Sequence, residues 1–382
     1  MHKHKQSQCK RKVKNRKNVV GLIIFCITVC IVFMFAYYQN LRKEISVRQE
    51  WLETVLTREK KWILENQGPE GEIYMNGSKA GDVNPYFACM AALGLLAETK
   101  NCPMTETEQK AVGRYLDWHT GVLLETDGKM GIYRKESGKL IYKEKADSED
   151  GYLGMYLFLM GKYLEKTEST DLPESWKNGI SLALKKIQSL MQDGITQVSE
   201  ENTTVYLMDN LEVWKGLHEL ELAGLEDTQA ISEIRKKIQK QIEKIFWDDA
   251  NQRWRIIGNS DLYDQTEFYP DGVAQIYPLI YEFPVKEKKK QKVLYDQFTE
   301  RFQWQKLTKK RNGFLWAMTG MAAAQMRDIN NLVELVGNYE TEYGENRKYP
   351  LYTGEVGWIC MECEKLYRLY ERKIKTGFIL CA

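Results

Sequence analysis

The sequence predicts an all-α fold, a toroid of six helical hairpins preceded by one transmembrane helix. Three observations predict it. First, a short signature recurs six times: an Asp, Asn or Thr, a small or turn-forming residue, then an aromatic-rich apolar run. The copies begin at Asn84-Pro85, Asp150-Gly151, Asp209-Asn210, Asp271-Gly272, Asn312-Gly313 and Thr353-Gly354. Second, a more polar helical segment precedes almost every copy. Third, the twenty residues from Val19 to Tyr38 carry no charge and only Thr28 as an obviously polar member. Twelve helices in six hairpins close into a ring whose inner helices all start on one face, so polar side chains gather at one mouth.

The apolar run comes first along the chain. At 1.5 Å per residue it reaches about 30 Å, the hydrocarbon thickness of a bilayer. Residues 1–18 form a basic tail with eight Lys/Arg and no acid, which places the N-terminus in the cytoplasm by the positive-inside bias. Residues 19–38 are then a signal anchor and residues 39–382 an extracytoplasmic toroid domain at the cell membrane. A cleaved signal peptide is the rival reading; Phe35-Ala36-Tyr37-Tyr38 makes a poor small-residue cleavage site.

The charged stretch 41–66 places Trp51, Leu52, Val55, Leu56, Trp62, Ile63 and Leu64 at helical spacing and reads as the first outer helix. Further outer helices fit 105–120, 173–193, 227–246, 287–303 and 328–338. Inner partners fit 84–96, 150–166, 205–223, 271–282, 313–326 and 354–372. The inner runs are apolar nearly all round, the mark of helices buried on every side, and are too short to span a bilayer. The outer ones, such as 234–245, have one apolar stripe and one charged face. Strand-like insertions at 131–134, 140–143 and 254–257 precede the second and fourth inner helices.

Charge and composition exclude several classes. Without the eight tail cations, 47 Lys/Arg face 53 Asp/Glu, so the domain is mildly acidic and nucleic acid is not an expected partner. Five cysteines outside the tail and span are too few for a disulfide scaffold. Cys360-Met361-Glu362-Cys363 has redox or zinc spacing but lies in an apolar helical stripe and reads as core; a Cys89–Cys360 contact is conceivable across neighbouring inner helices. Only His119 and His218 lie outside the tail, with no paired-His spacing, so no metal and no cofactor is expected. No phosphate loop or nucleophile elbow is present.

The segments Val83–Leu95 (VNPYFACMAALGL), Ala146–Tyr152 (ADSEDGY) and Tyr352–Trp358 (YTGEVGW) resemble the six-hairpin glycosidase superfamily, the (α/α)6 toroids. The acidic Asp-x-x-Asp entry to an inner helix is most similar to glycoside hydrolase family 8. That resemblance implies a Glu near the first inner helix as general acid and an Asp as base. The family's Ser-Glu-Gly-Gln-Gly-type signature is absent, and Pro69-Glu70-Gly71-Glu72 occupies roughly its place.

The residues alone point the same way. Glycoside hydrolysis needs two carboxyls flanking one bond, one protonated and one ionised. Asp147 and Asp150 stand three residues apart at a helix entry, where the helix dipole holds a carboxylate ionised. Asp150 is therefore the expected base, and Glu72 or Glu70, beside apolar and aromatic groups, the expected acid. Asp147, Asp209, Asp271 and Glu355 are expected substrate-binding groups. Each Asp is equally what a helix start selects as an N-cap. Sugar rings stack on flat aromatic faces, and Tyr86, Tyr152, Trp214, Tyr269 and Trp358 are the substrate-binding aromatics, with Tyr74, Tyr206, Trp316 and Tyr352 also near the mouth; about half of these are needed simply to fill the ring.

The expected function is a membrane-anchored, extracytoplasmic glycosidase that cleaves a cell-surface or secreted polysaccharide with inversion. The alternatives are a non-catalytic toroid that binds glycan or scaffolds an envelope complex, and a polysaccharide lyase on the same fold.

Overall fold

The computed structural model describes residues 2–77, 81–136, 139–169, 171–225, 228–258, 260–307, 311 and 313–381. The chain divides into two compact units, residues 1–52 with 367–382, and residues 53–366.

The first unit holds most of α1 (His2–Glu65) and the end of α12 (Thr353–Cys381). Beyond Ile23, α1 is long and apolar enough to cross a bilayer, with mean hydropathy 1.8 over its best window and none of that window buried. Thr28, the polar exception, turns its hydroxyl back to the Ile24 carbonyl at 2.9 Å, which satisfies it within the helix.

In the second unit the remaining helices alternate as expected. The inner set is α2 (Pro85–Leu95), α4 (Glu149–Thr167), α6 (Leu207–Leu222), α8 (Val273–Ile280), α10 (Thr319–Met326) and the first part of α12. Between them run α3 (Glu106–Glu125), α5 (Glu174–Leu190), α7 (Thr228–Phe246), α9 (Lys288–Phe302) and α11 (Ile329–Tyr343), with residues 53–65 of α1 as the first outer helix. Inner neighbours pack in the order α2, α4, α6, α8, α10. Ring closure comes from α12, where Gly320 of α10 lies against Glu362 and Gly94 of α2 against Gly357.

Backbones approach closely where glycine allows it. A Cβ on Gly216 of α6 would stand 2.3 Å from the Gly154 carbonyl oxygen of α4, and one on Gly161 2.5 Å from the Glu219 carbonyl carbon. Only helices without side chains at these points reach that separation. Helix starts follow the capping chemistry: Asn84 accepts from Tyr86 N at 2.9 Å ahead of Pro85, Ser148 from Gly151 N, and Thr105 with Glu108 forms a reciprocal box.

The fifth inner helix starts six residues later than expected. Gly313 and Trp316 have φ of 79° and 59°, left-handed values that a helix cannot continue through. Asn312, predicted to open this helix, lies outside the described residues. β1 (Asp82–Val83), ahead of α2, joins the insertion before α4, a hairpin of β2 (Gly131–Glu136) and β3 (Lys139–Lys145), in a three-stranded antiparallel sheet. Two-stranded pairs β4 (Met191–Gln192) with β5 (Ile195–Thr196), and β6 (Trp247–Asp248) with β7 (Arg253–Trp254), precede α6 and α8; the strand expected over 254–257 is confined to its first residue and Arg253.

The far ends of the inner helices meet in buried ion pairs. Lys215 bonds Glu219 at 2.7 Å and Glu282 at 2.9 Å, and Lys162 bonds Glu219 at 3.0 Å. Burial raises both carboxyls, but Lys215 and Lys162 hold Glu219, and Lys215 with Lys365 holds Glu282, below the ordinary range. Cys360 and Cys363 are buried and free in α12; Cys89 is also free, beside Tyr115 and His119.

Candidate active site

At the N-terminal ends of the inner helices a cavity of about 250 Å³ opens. Its lining comes from all six ring positions, because each inner helix begins here and each entry loop carries polar or aromatic residues. From α4 and its approach come Asp147, Ser148 and Tyr152, from α6 Asp209 and Glu212, and from α12 Glu355 and Trp358.

Glu212 is fully embedded. Its Oε1 accepts hydrogen bonds from the hydroxyls of Tyr277 at 2.7 Å, Tyr281 at 3.2 Å and Tyr86. Burial pushes its carboxyl up to about 8, with the three phenols pulling the other way. A Cβ on Gly151 would sit 2.8 Å from Glu212 Oε2 and 3.7 Å from Asp209 Oδ1, so both carboxyls converge above that glycine. Burial first, then the charges of Asp150 and Glu212, drive Asp209 well above the ordinary carboxylate range.

Glu355 stands at the start of α12, opposite α6 in the ring order. It accepts from Leu315 N and Trp316 N at 3.1 Å each on Oε1, and from Ala317 N at 2.8 Å on Oε2. Burial raises it to about 7, opposed by those three amides, which favour the ionised form. The same three bonds fix the left-handed turn that presents Trp316. Tyr269 lies 4.7 Å from Trp316 between ring centroids, and Phe87 stacks on Phe314 at 5.4 Å, giving the cavity an aromatic wall. The buried indole N–H of Trp358 has no hydrogen-bond partner among the described residues.

The structure thus brings together Asp147, Asp209, Glu355, Tyr86, Tyr152, Tyr269 and Trp358 of the residues expected at the mouth. It does not bring Glu70, Glu72, Asp150, Asp271 or Trp214 to the cavity. Glu70 is exposed on its loop. Glu72 is buried as that loop's internal anchor, accepting from Tyr74 Oη at 2.9 Å, Glu70 N at 3.0 Å and Lys135 Nζ at 3.3 Å. Asp150 lies beneath the cavity, where Ser148 Oγ, Gly151 N and Thr196 Oγ1 donate to it at 2.8, 3.0 and 2.7 Å. Its carboxyl is pushed up to about 6 by burial. Asp271 accepts from Asp264 N, and Trp214 packs in the core against His218 and Phe283.

Sequence reasoning missed Glu212. The available signal was its position three residues after Asp209, repeating the Asp147/Asp150 spacing, as a lone acid within the apolar run Leu211 to Trp214.

No protein-family model matches the chain, and no curated protein matches it in sequence. Solved structures do match in fold. A wild-type glycosidase superposes with TM-score 0.61 at 12% identity, covering 84% of this chain and 98% of that one. A metal-independent α-mannosidase from Streptococcus pneumoniae, in a non-productive complex with α-1,6-mannobiose, gives 0.60 at 10% identity over 88% and 97%. A D-mannose isomerase gives 0.55 at 12% identity over 84% and 97%. At these identities the likeness establishes the toroid fold alone.

Proposed function

We propose that the protein is a glycoside hydrolase in which Glu212 is the general acid and Glu355 the general base. The observation that carries this reading is the pair itself: two buried carboxyls on opposite members of the helix ring, facing one cavity. Glu212, raised to about 8, keeps its proton at neutral pH, while Glu355, raised to about 7 but held by three amides, reaches its ionised form there. Placement on opposite walls suits an inverting mechanism, in which the base activates water on the sugar face away from the leaving group and the carboxyls stand about 6.5–9.5 Å apart.

Asp147 and Asp209 serve as acceptors for sugar hydroxyls at the rim, and Tyr152, Tyr269, Phe314 and Trp316 as stacking surfaces. The orphan N–H of Trp358 is a donor for a substrate oxygen; leaving such a group unpaired costs about 1–3 kcal/mol. Among the described residues lining the cavity there are four carboxyls and no Lys, Arg or His. An uncharged glycan fits that lining, and a lyase acting on an acidic sugar would lack its charge neutraliser. The family 8 resemblance enters here only as acid/base chemistry, since Glu70 and Glu72 are away from the cavity. The mannosidase likeness makes α-mannosides the first substrates to try. We further infer that the apolar part of α1 anchors the protein in a membrane, with the basic tail cytoplasmic and the toroid outside.

The test is product analysis of the full chain in detergent on α-1,6-mannobiose and other neutral oligosaccharides, with the product anomer read by proton NMR. Hydrolysis with inversion is expected, and Glu212→Gln and Glu355→Gln should each lower kcat by about 10³-fold. Hydrolysis that survives Glu212→Gln removes the assignment. Glycan binding without turnover by wild type supports the scaffold reading instead, and conversion of free mannose to a ketose an isomerase.

A further inference from the structure

Three phenols surround one oxygen of Glu212, an arrangement that neither helix capping nor ring packing requires. Tyr277 and Tyr281 stand one turn apart at the end of α8, and Tyr86 reaches Glu212 from α2, on the opposite side of the ring. All three hydroxyls converge on Oε1. The other oxygen, Oε2, is the one that faces Gly151 and the Asp209 carboxyl.

We propose that Tyr86, Tyr277 and Tyr281 form a phenolic clamp that makes Oε1 the hydrogen-bond acceptor of Glu212 and leaves Oε2 as the oxygen that bears and delivers the proton. In a neutral carboxyl the carbonyl oxygen is the better acceptor, and a hydroxyl oxygen already donates. Two or more donors fixed on Oε1 therefore decide which oxygen is protonated. They also stop the carboxyl from rotating, so the proton keeps one direction relative to a bound sugar. The clamp rests on the reading of Glu212 as the proton donor, but its own geometry is independent of substrate.

The phenols remain donors throughout the neutral range, because burial first and the Glu212 charge second raise each of them well above an ordinary tyrosine. Their bonds pull Glu212 down from the still higher value that burial alone would impose. The other titratable groups facing Glu212 are Asp209 on its own helix, Asp150 and Tyr152 on α4, and Tyr269 ahead of α8. The acids oppose its ionisation, so the clamp is the counterweight.

The experiment is a ¹³C-carboxyl NMR titration of glutamate-labelled full chain in detergent, with the Glu212 signal assigned by its loss in Glu212→Gln. Removing one donor by Tyr277→Phe should raise the Glu212 midpoint by about one pH unit. Tyr281→Phe should raise it less, its contact being longer, and the double variant most. In activity, Tyr277→Phe should lower kcat about tenfold with KM within about twofold, and move the alkaline limb of the pH profile upward. A midpoint unmoved in both single variants overturns the clamp, whatever the activity. If Glu212→Gln still hydrolyses glycan while the midpoint moves as expected, the acid assignment fails and the clamp stands as an electrostatic device. Tyr86→Phe provides a third variant should either α8 substitution fail to fold, judged by near-ultraviolet circular dichroism.

Discussion

Glu212 and Glu355 show how identical side chains meet different surroundings, and the proposed acid and base duties rest on that difference. Three phenols converge on one oxygen of Glu212, whereas three amides spread across both oxygens of Glu355. Activity should therefore be bell-shaped in pH, rising as Glu355 loses its proton near 7 and falling as Glu212 loses its own near 8. A kcat/KM profile checks this: Glu355→Gln should erase the acid limb of what activity remains, and Glu212→Gln the alkaline one. Gly151 sets the space around the Glu212 carboxyl. An added methyl would meet Glu212 Oε2 at 2.8 Å and Ser148 Oγ at 3.0 Å, both side-chain ends, so it would press the carboxyl against its phenols and leave the backbone in place. Gly151→Ala should cost about 10²-fold in kcat with little change in Tm, a split that activity assays beside thermal melts would reveal. A loss of both together would mean that the glycine is structural. At this scale the sequence was half legible. Asp147, Asp209 and Glu355, expected from their place at helix starts, line the cavity. Asp150 sits at the same kind of position, yet Thr196 and Ser148 draw it under the floor, a contact between segments 46 residues apart that no local pattern displays.

Helical elements were the most legible feature, because amphipathic outer stripes and all-apolar inner runs are properties of periodicity. The late start of α10 is the exception. Its residues have inner-helix composition, but Glu355 of the neighbouring α12 captures the amides of Leu315, Trp316 and Ala317 and holds them in a turn. Tertiary bonding there outweighs a propensity worth only tenths of a kcal/mol per residue. The contact between α4 and α6 rests on glycines that a sequence reading passes over as neutral. In Gly216→Ala the new methyl would meet the backbone oxygen of Gly154, which cannot swing aside as a side chain does. The variant should lose about 1–3 kcal/mol or more, measured by chemical denaturation, and unchanged stability would show that the helices separate without cost.

For the whole molecule, the proposed anchor and the proposed enzyme are separable expectations. If α1 crosses a membrane, the full chain should resist extraction by salt and alkaline carbonate and yield only to detergent, while a chain lacking residues 1–38 should stay in the soluble fraction. Release of the full chain by carbonate alone would end the spanning reading. What the sequence determined by itself was everything that depends on periodicity and composition: the apolar segment, the alternating inner and outer helices, and the acidic and aromatic helix entries. Those signals are local, and each residue carries its share wherever the chain goes. Only the tertiary structure decided which acids share a cavity. Closing six hairpins into a ring sets α6 opposite α12, brings tyrosines from α2 and α8 onto Glu212, and turns Glu72 and Asp150 into internal anchors. A carboxyl's protonation depends on what lies within a few ångströms of it, and in a ring those neighbours come from helices far apart in the chain.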